Sequence, residues 1–272
     1  MKEGKKYAIL DTDFVSKANL IQADTEDILA DRVINFKGYE FCCHSMMLEE
    51  LGRHGTVMAQ AWLQGKISEQ MIRLYSDKDI IDGLTEKIGR KSFAVYLEFL
   101  KNSCEIYDRN YYESHYVTLI ELQKTDCTKE IFLQELQRCD DMIGSHQSLG
   151  EKKAYVLLQF LRYLHGEKVY IFCSDDFGAR NGFASIGKIP CISIIAVFYK
   201  LKSMGIGKEE ADRYFRSFEA WCSNHNQSQL YVWEWNGSYR RVRRNLRVVF
   251  EGLYNGEFEL MMNGDLAYKR VL

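Results

Sequence analysis

The sequence predicts an α/β fold built on a mostly parallel sheet. Two short apolar runs, residues 7–10 and 169–173, have the length and composition of strands that are buried on both faces. Segments with helical spacing alternate with these runs and with further strand-like runs. Strands that alternate with helices are typical of a mostly parallel sheet with helices on both faces, and we expect this α/β architecture here.

The elements follow one another in the order expected for such a sheet. We predict a strand ending at residue 10, a helix over 18–35, a strand over 39–43, a helix starting near Ser45, a helix from Gly150, a strand over 169–173, a short helix near Ala179 and a strand over 191–195. Residues from about 56 to 142 lack strand-like alternation and contain several stretches with helical spacing. We interpret that range as a helical insert.

The C-terminal residues have a different character. After residue 223, three Asn-Gly dipeptides typical of hairpin turns separate runs rich in Val, Tyr, Trp and Phe. We therefore predict a domain of residues 1–222, which includes the helical insert, and a small antiparallel β extension of residues 223–272.

Composition restricts the class of protein. A chain of 272 residues with 46% hydrophobic residues can bury a substantial core, whereas a net charge of -2 leaves the class of partner open. The eight cysteines form no Cys-x-x-Cys pair, which favours a reduced, cytoplasmic setting and argues against zinc. The apolar stretch behind the basic residues 1–6 stops at Asp11, so we expect neither a signal peptide nor a membrane partner.

Acidic residues stand at four places where a predicted strand ends or a predicted helix begins. They are Asp11 with Asp13, Glu49 with Glu50, Glu151, and Asp175 with Asp176. Ligands of open α/β sheets bind at the carboxyl ends of the strands. Two carboxylates about 4 Å apart repel by roughly 4 kcal/mol at an effective dielectric constant near 20, so a cluster of four requires protons or cations. Hard oxygen ligands without an obvious His or Cys partner favour Mg²⁺ or Mn²⁺.

Helical phase distinguishes between the acidic residues. Successive helical residues advance by about 100°, which places Glu50 beside the apolar positions 47 and 51 and Glu49 on the solvent side. Glu151 shares an apolar stripe with Ala154 and Tyr155. A favourable interaction with the helix N-terminus is an alternative explanation for Glu50 and for Glu151.

These places resemble, in order, the four motifs of PIN-domain nucleases. Residues 7–15 resemble the first strand and its acidic end, and Ser-Met-Met-Leu-Glu-Glu-Leu at 45–51 is similar to the second motif. Ser-Leu-Gly-Glu at 148–151 resembles the third motif, and Ser-Asp-Asp-Phe-Gly-Ala-Arg at 174–180 resembles the fourth. Residues 191–205 look like the last strand and C-terminal helix of that family. The resemblance implies a PIN-like three-layer sandwich with a central, mostly parallel sheet. The β extension lies outside the resemblance.

The resemblance implies an endoribonuclease that uses Mg²⁺ or Mn²⁺ to hydrolyse phosphodiester bonds in single-stranded RNA, as a toxin-like or RNA-processing enzyme. The implied metal ligands are Asp11, Glu50, Glu151 and one or both of Asp175 and Asp176. Four further residues support the site: Asp13 as an additional acid, Thr12 and Ser174 as hydrogen-bonding groups that position water or ligands, and Arg180 as a phosphate contact or an ion-pair partner of the acids. The resemblance leaves open whether the protein binds an inhibitory or scaffold protein partner and whether it forms an oligomer.

Basic residues provide candidate contacts with nucleic acid. Related sequences often carry a second acid where this chain has Lys153, which removes a ligand or replaces it with a phosphate contact. The segment 240–247 contains five arginines, namely Arg240, Arg241, Arg243, Arg244 and Arg247. A strand there shows arginines on both faces, and it either contacts phosphates or forms a charged edge that blocks aggregation.

Two other functions are compatible with parts of the pattern. A haloacid-dehalogenase-like phosphatase would use Asp11 as nucleophile and Asp13 as general acid, but it leaves Glu50 and Glu151 unexplained. A catalytically inactive PIN-like protein would serve as a binding or scaffold module through the insert and the β extension. A dinucleotide-binding enzyme is disfavoured because no Gly-x-Gly-x-x-Gly follows a strand.

Overall fold

The computed structural model describes residues 6–106, 110–125, 127–143, 149–166 and 169–270. Ser148 of the predicted third motif and residues 1–5 of the basic N-terminal segment lie outside these ranges. The strands within them are β1 (Lys6–Leu10), β2 (Tyr39–His44), β3 (Ile72–Tyr75), β4 (Val169–Cys173), β5 (Cys191–Ile192), β6 (Gln229–Trp235), β7 (Tyr239–Asn245), β8 (Phe258–Leu260) and β9 (Leu266–Tyr268).

The helices within the same ranges alternate with the first five strands and dominate the middle of the chain. They are α1 (Thr12–Leu20), α2 (Leu29–Ile34), α3 (Met46–Arg53), α4 (Val57–Ser68), α5 (Asp77–Ile88), α6 (Ser92–Glu105), α7 (Tyr111–His115), α8 (Val117–Gln123), α9 (Lys129–Ile143), α10 (Leu149–His165), α11 (Phe177–Ser185), α12 (Ile194–Ser203), α13 (Lys208–Asn224) and α14 (Leu246–Asn255). None of them has both the length and the apolar character that a membrane crossing requires.

The first five strands form one parallel sheet in the order β3-β2-β1-β4-β5. Strands β1 and β4 are buried along almost their whole length, as their continuous apolar runs predict. The architecture fits a three-layer α/β sandwich, which confirms the predicted fold class. Asp11 directly follows β1, and Asp175 follows β4 after one residue. Both acidic segments therefore come just after strands of the parallel sheet.

One compact unit comprises residues Met1–Thr12 and Glu40–Tyr170. It spans the whole range of the predicted helical insert. Residues 72–75 of that range form strand β3, which pairs with β2 so that Ile72 lies opposite Phe41. This strand was not predicted from the sequence, because it has only four residues at the edge of the sheet and its burial does not alternate. Four residues are too few to distinguish an edge strand from a turn between helices.

The other compact unit comprises residues Asp13–Tyr39 and Ile171–Leu272. The helix predicted over 18–35 is divided into α1 and α2, because the Asp24 side chain accepts hydrogen bonds from the amides of Glu26 and Asp27 and forms a turn. The strand predicted over 191–195 ends at Ile192. Ser193 then caps α12 by accepting a hydrogen bond from the Ala196 amide.

The C-terminal strands form a small sheet in the order β7-β6-β9-β8. Asn-Gly turns join β6 to β7 and β8 to β9 as predicted, and both of these pairs are antiparallel. However, β6 and β9 are parallel, so the sheet is mixed rather than purely antiparallel. The dipeptide at 255–256 ends helix α14, with Gly256 in the left-handed conformation at φ +85°. Asn-Gly supplies a positive φ at a helix end as readily as in a hairpin.

The turn between β8 and β9 packs against β5 and the start of α12. The Cys191 amide donates to the Met262 carbonyl at 2.6 Å, and the Ser193 hydroxyl donates to the Gly264 carbonyl at 2.5 Å. Gly264 has φ +79°, and a Cβ atom there would lie 2.9 Å from the Cys191 carbonyl oxygen. The C-terminal residues are thus part of the compact unit that contains β5.

Candidate functional site

Two hydrogen bonds hold the Glu50 carboxylate in the first unit. The Thr12 hydroxyl donates to Oε2 at 2.6 Å, and the Gly150 amide donates to Oε1 at 3.1 Å. Glu50 lies on α3 next to the buried Leu51, whereas Glu49 is exposed, as helical phase predicts. The first three acidic motifs, which are far apart in sequence, therefore meet at one carboxylate.

Gly150 is required for this arrangement. A Cβ atom at position 150 would lie 2.6 Å from Oε1 of Glu50. Gly150 belongs to the first turn of α10, where backbone amides have no partner within the helix and attract anionic groups. The glycine before Glu151 thus allows a helix N-terminus to approach a carboxylate on another helix.

Asp11 and Glu151 occupy the positions that the sequence predicts. Asp11 is only 6% exposed at the end of β1. Glu151 lies in the first turn of α10, and it is partly exposed although Ala154 and Tyr155 on its stripe are buried. Asp11 therefore lies at the end of a strand, and Glu151 lies at the beginning of a helix.

In the second unit, Lys17 binds two of the predicted acidic residues. Its ammonium group lies 3.0 Å from Oδ2 of Asp13 and 2.8 Å from Oδ2 of Asp175. The other oxygen of Asp175 accepts a hydrogen bond from the Ile194 amide at 3.1 Å. Lys17 was not among the predicted site residues, although its i,i+4 spacing from Asp13 on a helix indicates this ion pair.

Burial and the neighbouring charges shift the pKa values of Asp13 and Lys17 in opposite directions. Burial raises the pKa of Asp13 more than Lys17 lowers it, so the pKa of Asp13 lies above its ordinary value. Burial also disfavours the charged form of Lys17, but the two carboxylates outweigh that effect and raise its pKa. Lys17 therefore remains an ammonium ion near neutral pH.

Asp176, Ser174 and Arg180 have structural partners. Asp176 caps α11, because its Oδ1 accepts a hydrogen bond from the Ala179 amide at 2.7 Å, and its own amide donates to the Ser174 hydroxyl at 3.1 Å. The buried Arg180 guanidinium donates to the Ser174 carbonyl at 3.2 Å and to the Asp265 carboxylate at 2.9 Å. Arg180 thus pairs with a carboxylate of the C-terminal residues.

The described residues contain no group of three or more His, Cys, Asp and Glu side chains arranged to hold a metal ion. The carboxylate oxygens are hard donors of the kind that Mg²⁺ and Mn²⁺ prefer. A cluster of carboxylates needs a neutralising cation nearby. For Asp13 and Asp175, that cation is the ammonium group of Lys17. In this arrangement the side chains do not form a ready metal site, and the predicted Mg²⁺ or Mn²⁺ stays a prediction.

Lys153 lies in a buried network within the first unit, a position unsuited to the predicted phosphate contact. Its side chain is fully buried, and its ammonium lies 2.7 Å from the Asp140 carboxylate and 2.8 Å from that of Asp77. Asp77 also contacts His44 and accepts a hydrogen bond from the Tyr96 hydroxyl. The Lys153 ammonium is therefore not available for the predicted contact with a phosphate.

The neighbouring charges in this network shift one another's pKa values. Burial disfavours the ammonium form of Lys153, but Asp140 and Asp77 outweigh burial and raise its pKa. Burial likewise disfavours the charged form of Asp77, but Lys153 and His44 hold the pKa of Asp77 well below its ordinary value. For Asp140, burial prevails over Lys153 and raises the pKa. The network connects α10, through Lys153, to α5, α6 and α9, through Asp77, Tyr96 and Asp140.

The five C-terminal arginines divide into two groups. Arg240 and Arg244 pair with Glu234, and Arg247 on α14 pairs with Asp212 and Glu219. Within the described residues, Arg241 and Arg243 form no ion pair, and both line a cavity of about 650 Å³ in the second unit. Strand β7 has arginines on both of its faces, as predicted.

Comparisons with protein-family models, with curated proteins and with solved structures find no match to this chain. The resemblance to PIN-domain nucleases therefore rests on the residues named above. The class that the fold supports directly is an α/β protein with a five-stranded parallel sheet.

Proposed function

We propose that this protein is an endoribonuclease that hydrolyses phosphodiester bonds in single-stranded RNA with Mg²⁺ or Mn²⁺. The proposed ligands are Asp11, Glu50, Glu151 and one or both of Asp175 and Asp176. The bound ion would activate a water molecule and stabilise the negative charge that develops on the phosphate.

One observation carries this proposal. Glu50 accepts hydrogen bonds from Thr12, next to the first acid, and from Gly150, next to the third acid. Motifs matched in order along a sequence are weak evidence when they lie apart in space. Here the resemblance predicts that three of them share a site, and the two hydrogen bonds support that prediction.

The chain's own residues orient the carboxylates. Thr12 and Gly150 fix the direction of the Glu50 carboxylate, since each of its oxygens accepts one hydrogen bond. Lys17 neutralises Asp13 and Asp175 when no other cation is bound. We expect a divalent cation to compete with Lys17 for Asp175.

The proposal is tested by incubating the purified protein with single-stranded and duplex RNA and DNA, with Mn²⁺ or with EDTA. We expect Mn²⁺-dependent cleavage of single-stranded RNA, and we expect Asp11→Asn combined with Glu151→Gln to abolish it. Mn²⁺ should also raise the melting temperature of the wild-type protein. Cleavage that survives the double substitution, or a melting temperature that does not respond to Mn²⁺, would contradict the proposal.

A second candidate is an inactive PIN-like protein that binds RNA or a protein partner. The observation that favours it is the ion-pair trio, because Lys17 already occupies the place of a cation between Asp13 and Asp175. This candidate predicts no Mn²⁺-dependent cleavage, whether or not RNA binds, and no shift of the melting temperature with Mn²⁺. The same two measurements therefore distinguish between the candidates.

A further inference from the structure

A cavity of about 650 Å³ in the second unit lies beside Asp175 and is lined by aromatic rings, arginines and amides. This volume falls in the range of roughly 300 to 1,000 Å³ that is common for small-molecule sites. Its aromatic lining includes Phe177, Trp221 and Tyr231. Tyr231 is 42% exposed, so part of this large aromatic side chain is accessible to a ligand.

The hairpin of β6 and β7 places aromatic rings and arginines on one face. Tyr231 lies opposite Arg243, and Trp233 lies opposite Arg241. The side chains of alternate residues in a strand point to the same face, so these four residues share one surface. One face of the β6–β7 hairpin thus presents two aromatic rings and two arginines.

The guanidinium group of Arg241 packs against two aromatic rings. Its guanidinium lies 3.8 Å from the ring centroid of Phe177 and 4.3 Å from that of Tyr231. Its Nε atom is buried and has no hydrogen-bond partner. A buried donor without a partner is costly, so the Arg241 guanidinium is incompletely satisfied beside the cavity that it lines.

The cavity carries an excess of positive charge. Asp175 is neutralised by Lys17, and Asp265 accepts hydrogen bonds from Arg180 and from the indole of Trp233. Arg243 donates from Nε to the Tyr231 hydroxyl at 2.8 Å, and its side chain is exposed. Within the described residues, neither Arg241 nor Arg243 is paired with a carboxylate. The cavity therefore suits an anion that also carries a flat ring.

We propose that this cavity binds one nucleotide of single-stranded RNA, with its base stacked on Tyr231 and its phosphate held by Arg241 and Arg243. Unpaired bases stack on aromatic side chains and on guanidinium planes, while cationic groups bind the backbone. The inference rests on the proposed function, because Asp175 is both a lining residue and a proposed ligand. It assigns the C-terminal sheet to substrate binding rather than to catalysis.

The test is the affinity of the full-length protein for a short fluorescein-labelled single-stranded RNA, measured by anisotropy in EDTA so that cleavage cannot occur. We expect Tyr231→Ala to weaken binding roughly fivefold or more, as expected for the loss of one stacked base. Arg243→Gln should weaken binding and reduce the slope of log affinity against log salt by about 1. Arg240→Gln is the matched control, since Arg240 lies on the opposite face of β7 and pairs with Glu234.

Equal losses in Arg240→Gln and Arg243→Gln, or unchanged binding in Tyr231→Ala, would overturn the inference. Binding of an acidic peptide as tightly as the RNA would also overturn it.

The cavity proposal and the nuclease proposal fail in different ways. Loss of RNA binding in Tyr231→Ala without any Mn²⁺-dependent cleavage by the wild type supports the cavity and refutes the nuclease. Cleavage with an unchanged KM in Tyr231→Ala refutes the cavity alone.

Discussion

The backbone amide of Gly150 donates a hydrogen bond to the carboxylate of Glu50 at 3.1 Å, although 100 residues separate them. This contact places the first turn of α10 against α3. It is also the reason that a glycine is needed at position 150, since a Cβ atom there would collide with the carboxylate. The contact connects the fold of the first unit directly to its candidate chemistry.

Gly150→Ala should impair cleavage while the fold is retained. The added methyl group displaces the Glu50 carboxylate, which is the mobile end of a side chain, and alanine is well tolerated in a helix. We expect a loss of at least about tenfold in kcat, because a displaced group no longer matches the transition state. Gly65→Ala is the control, since a Cβ atom at Gly65 in α4 meets nothing within 4 Å. Comparable rates for the two variants would show that the Glu50 position does not matter.

Lys17→Met should change the response of the protein to metal. The substitution leaves Asp13 and Asp175 without their shared cation, and we expect the free energy of unfolding to fall by about 1 to 3 kcal/mol. If Asp175 is a ligand, Mn²⁺ should then raise the melting temperature more in the variant than in the wild type.

Lys78→Met is the matched control for Lys17→Met. Its ion pair with Asp82 is exposed, and exposed pairs of this kind contribute little. An Mn²⁺ shift in Lys17→Met no larger than in the control would exclude competition between Lys17 and metal at Asp175.

Lys153→Met should destabilise the protein in a pH-dependent way. Removing one partner from a buried ion pair costs about 3 to 5 kcal/mol at neutral pH. The pKa of Asp77 is depressed in the folded state, so its stabilising contribution is present above the ordinary value of 3.8 and is lost as the pH falls through the folded pKa. Without Lys153, only His44 opposes the effect of burial on Asp77, so the pKa of Asp77 rises, and the pKa of Asp140, which is already raised, rises further. Acidification therefore favours the variant. Urea unfolding should therefore show a gap between the two proteins that narrows from about pH 7 to about pH 4, and a constant gap would contradict the assigned charges.

Gly264→Ala should destabilise the unit that contains β5 and the C-terminal sheet. The residue has φ +79°, and a Cβ atom would lie 2.9 Å from the Cys191 carbonyl oxygen and 3.0 Å from the Ser193 amide nitrogen. Gly237→Ala separates the two causes, because Gly237 has φ +74° but open space around it. We expect the backbone strain in Gly237→Ala to cost roughly 1 kcal/mol and Gly264→Ala to cost at least twice that. Equal losses would mean that the turn is not packed against β5.

The elements that frame the candidate site follow from local patterns in the sequence. Strands β1 and β4 are continuous apolar runs, and Glu50 is distinguished from Glu49 by helical phase alone. Strand β3 could not be predicted in this way, because a four-residue edge strand exists only through its pairing with β2. Local periodicity predicts elements, but it does not predict their partners.

The ion pairs were the least predictable part of the site. Lys17 and Asp175 are 158 residues apart, and Lys153 and Asp77 are 76 residues apart. Local sequence patterns do not indicate that residues so far apart in the chain form ion pairs. Lys153 was predicted as a site residue because it lies two residues after Glu151 of the third acidic motif. The charges that oppose the acidic residues therefore became visible only in the folded chain.

The rate of single-stranded RNA cleavage in Mn²⁺, compared between Glu50→Gln and Glu49→Gln, tests the central claim most directly. The two glutamates are adjacent on α3, but only Glu50 accepts the hydrogen bonds of Thr12 and Gly150, whereas Glu49 is exposed. We predict that Glu50→Gln loses cleavage by at least about a hundredfold while Glu49→Gln retains the wild-type rate. Wild-type cleavage by Glu50→Gln, or equal losses in both variants, would contradict a catalytic centre built around Glu50.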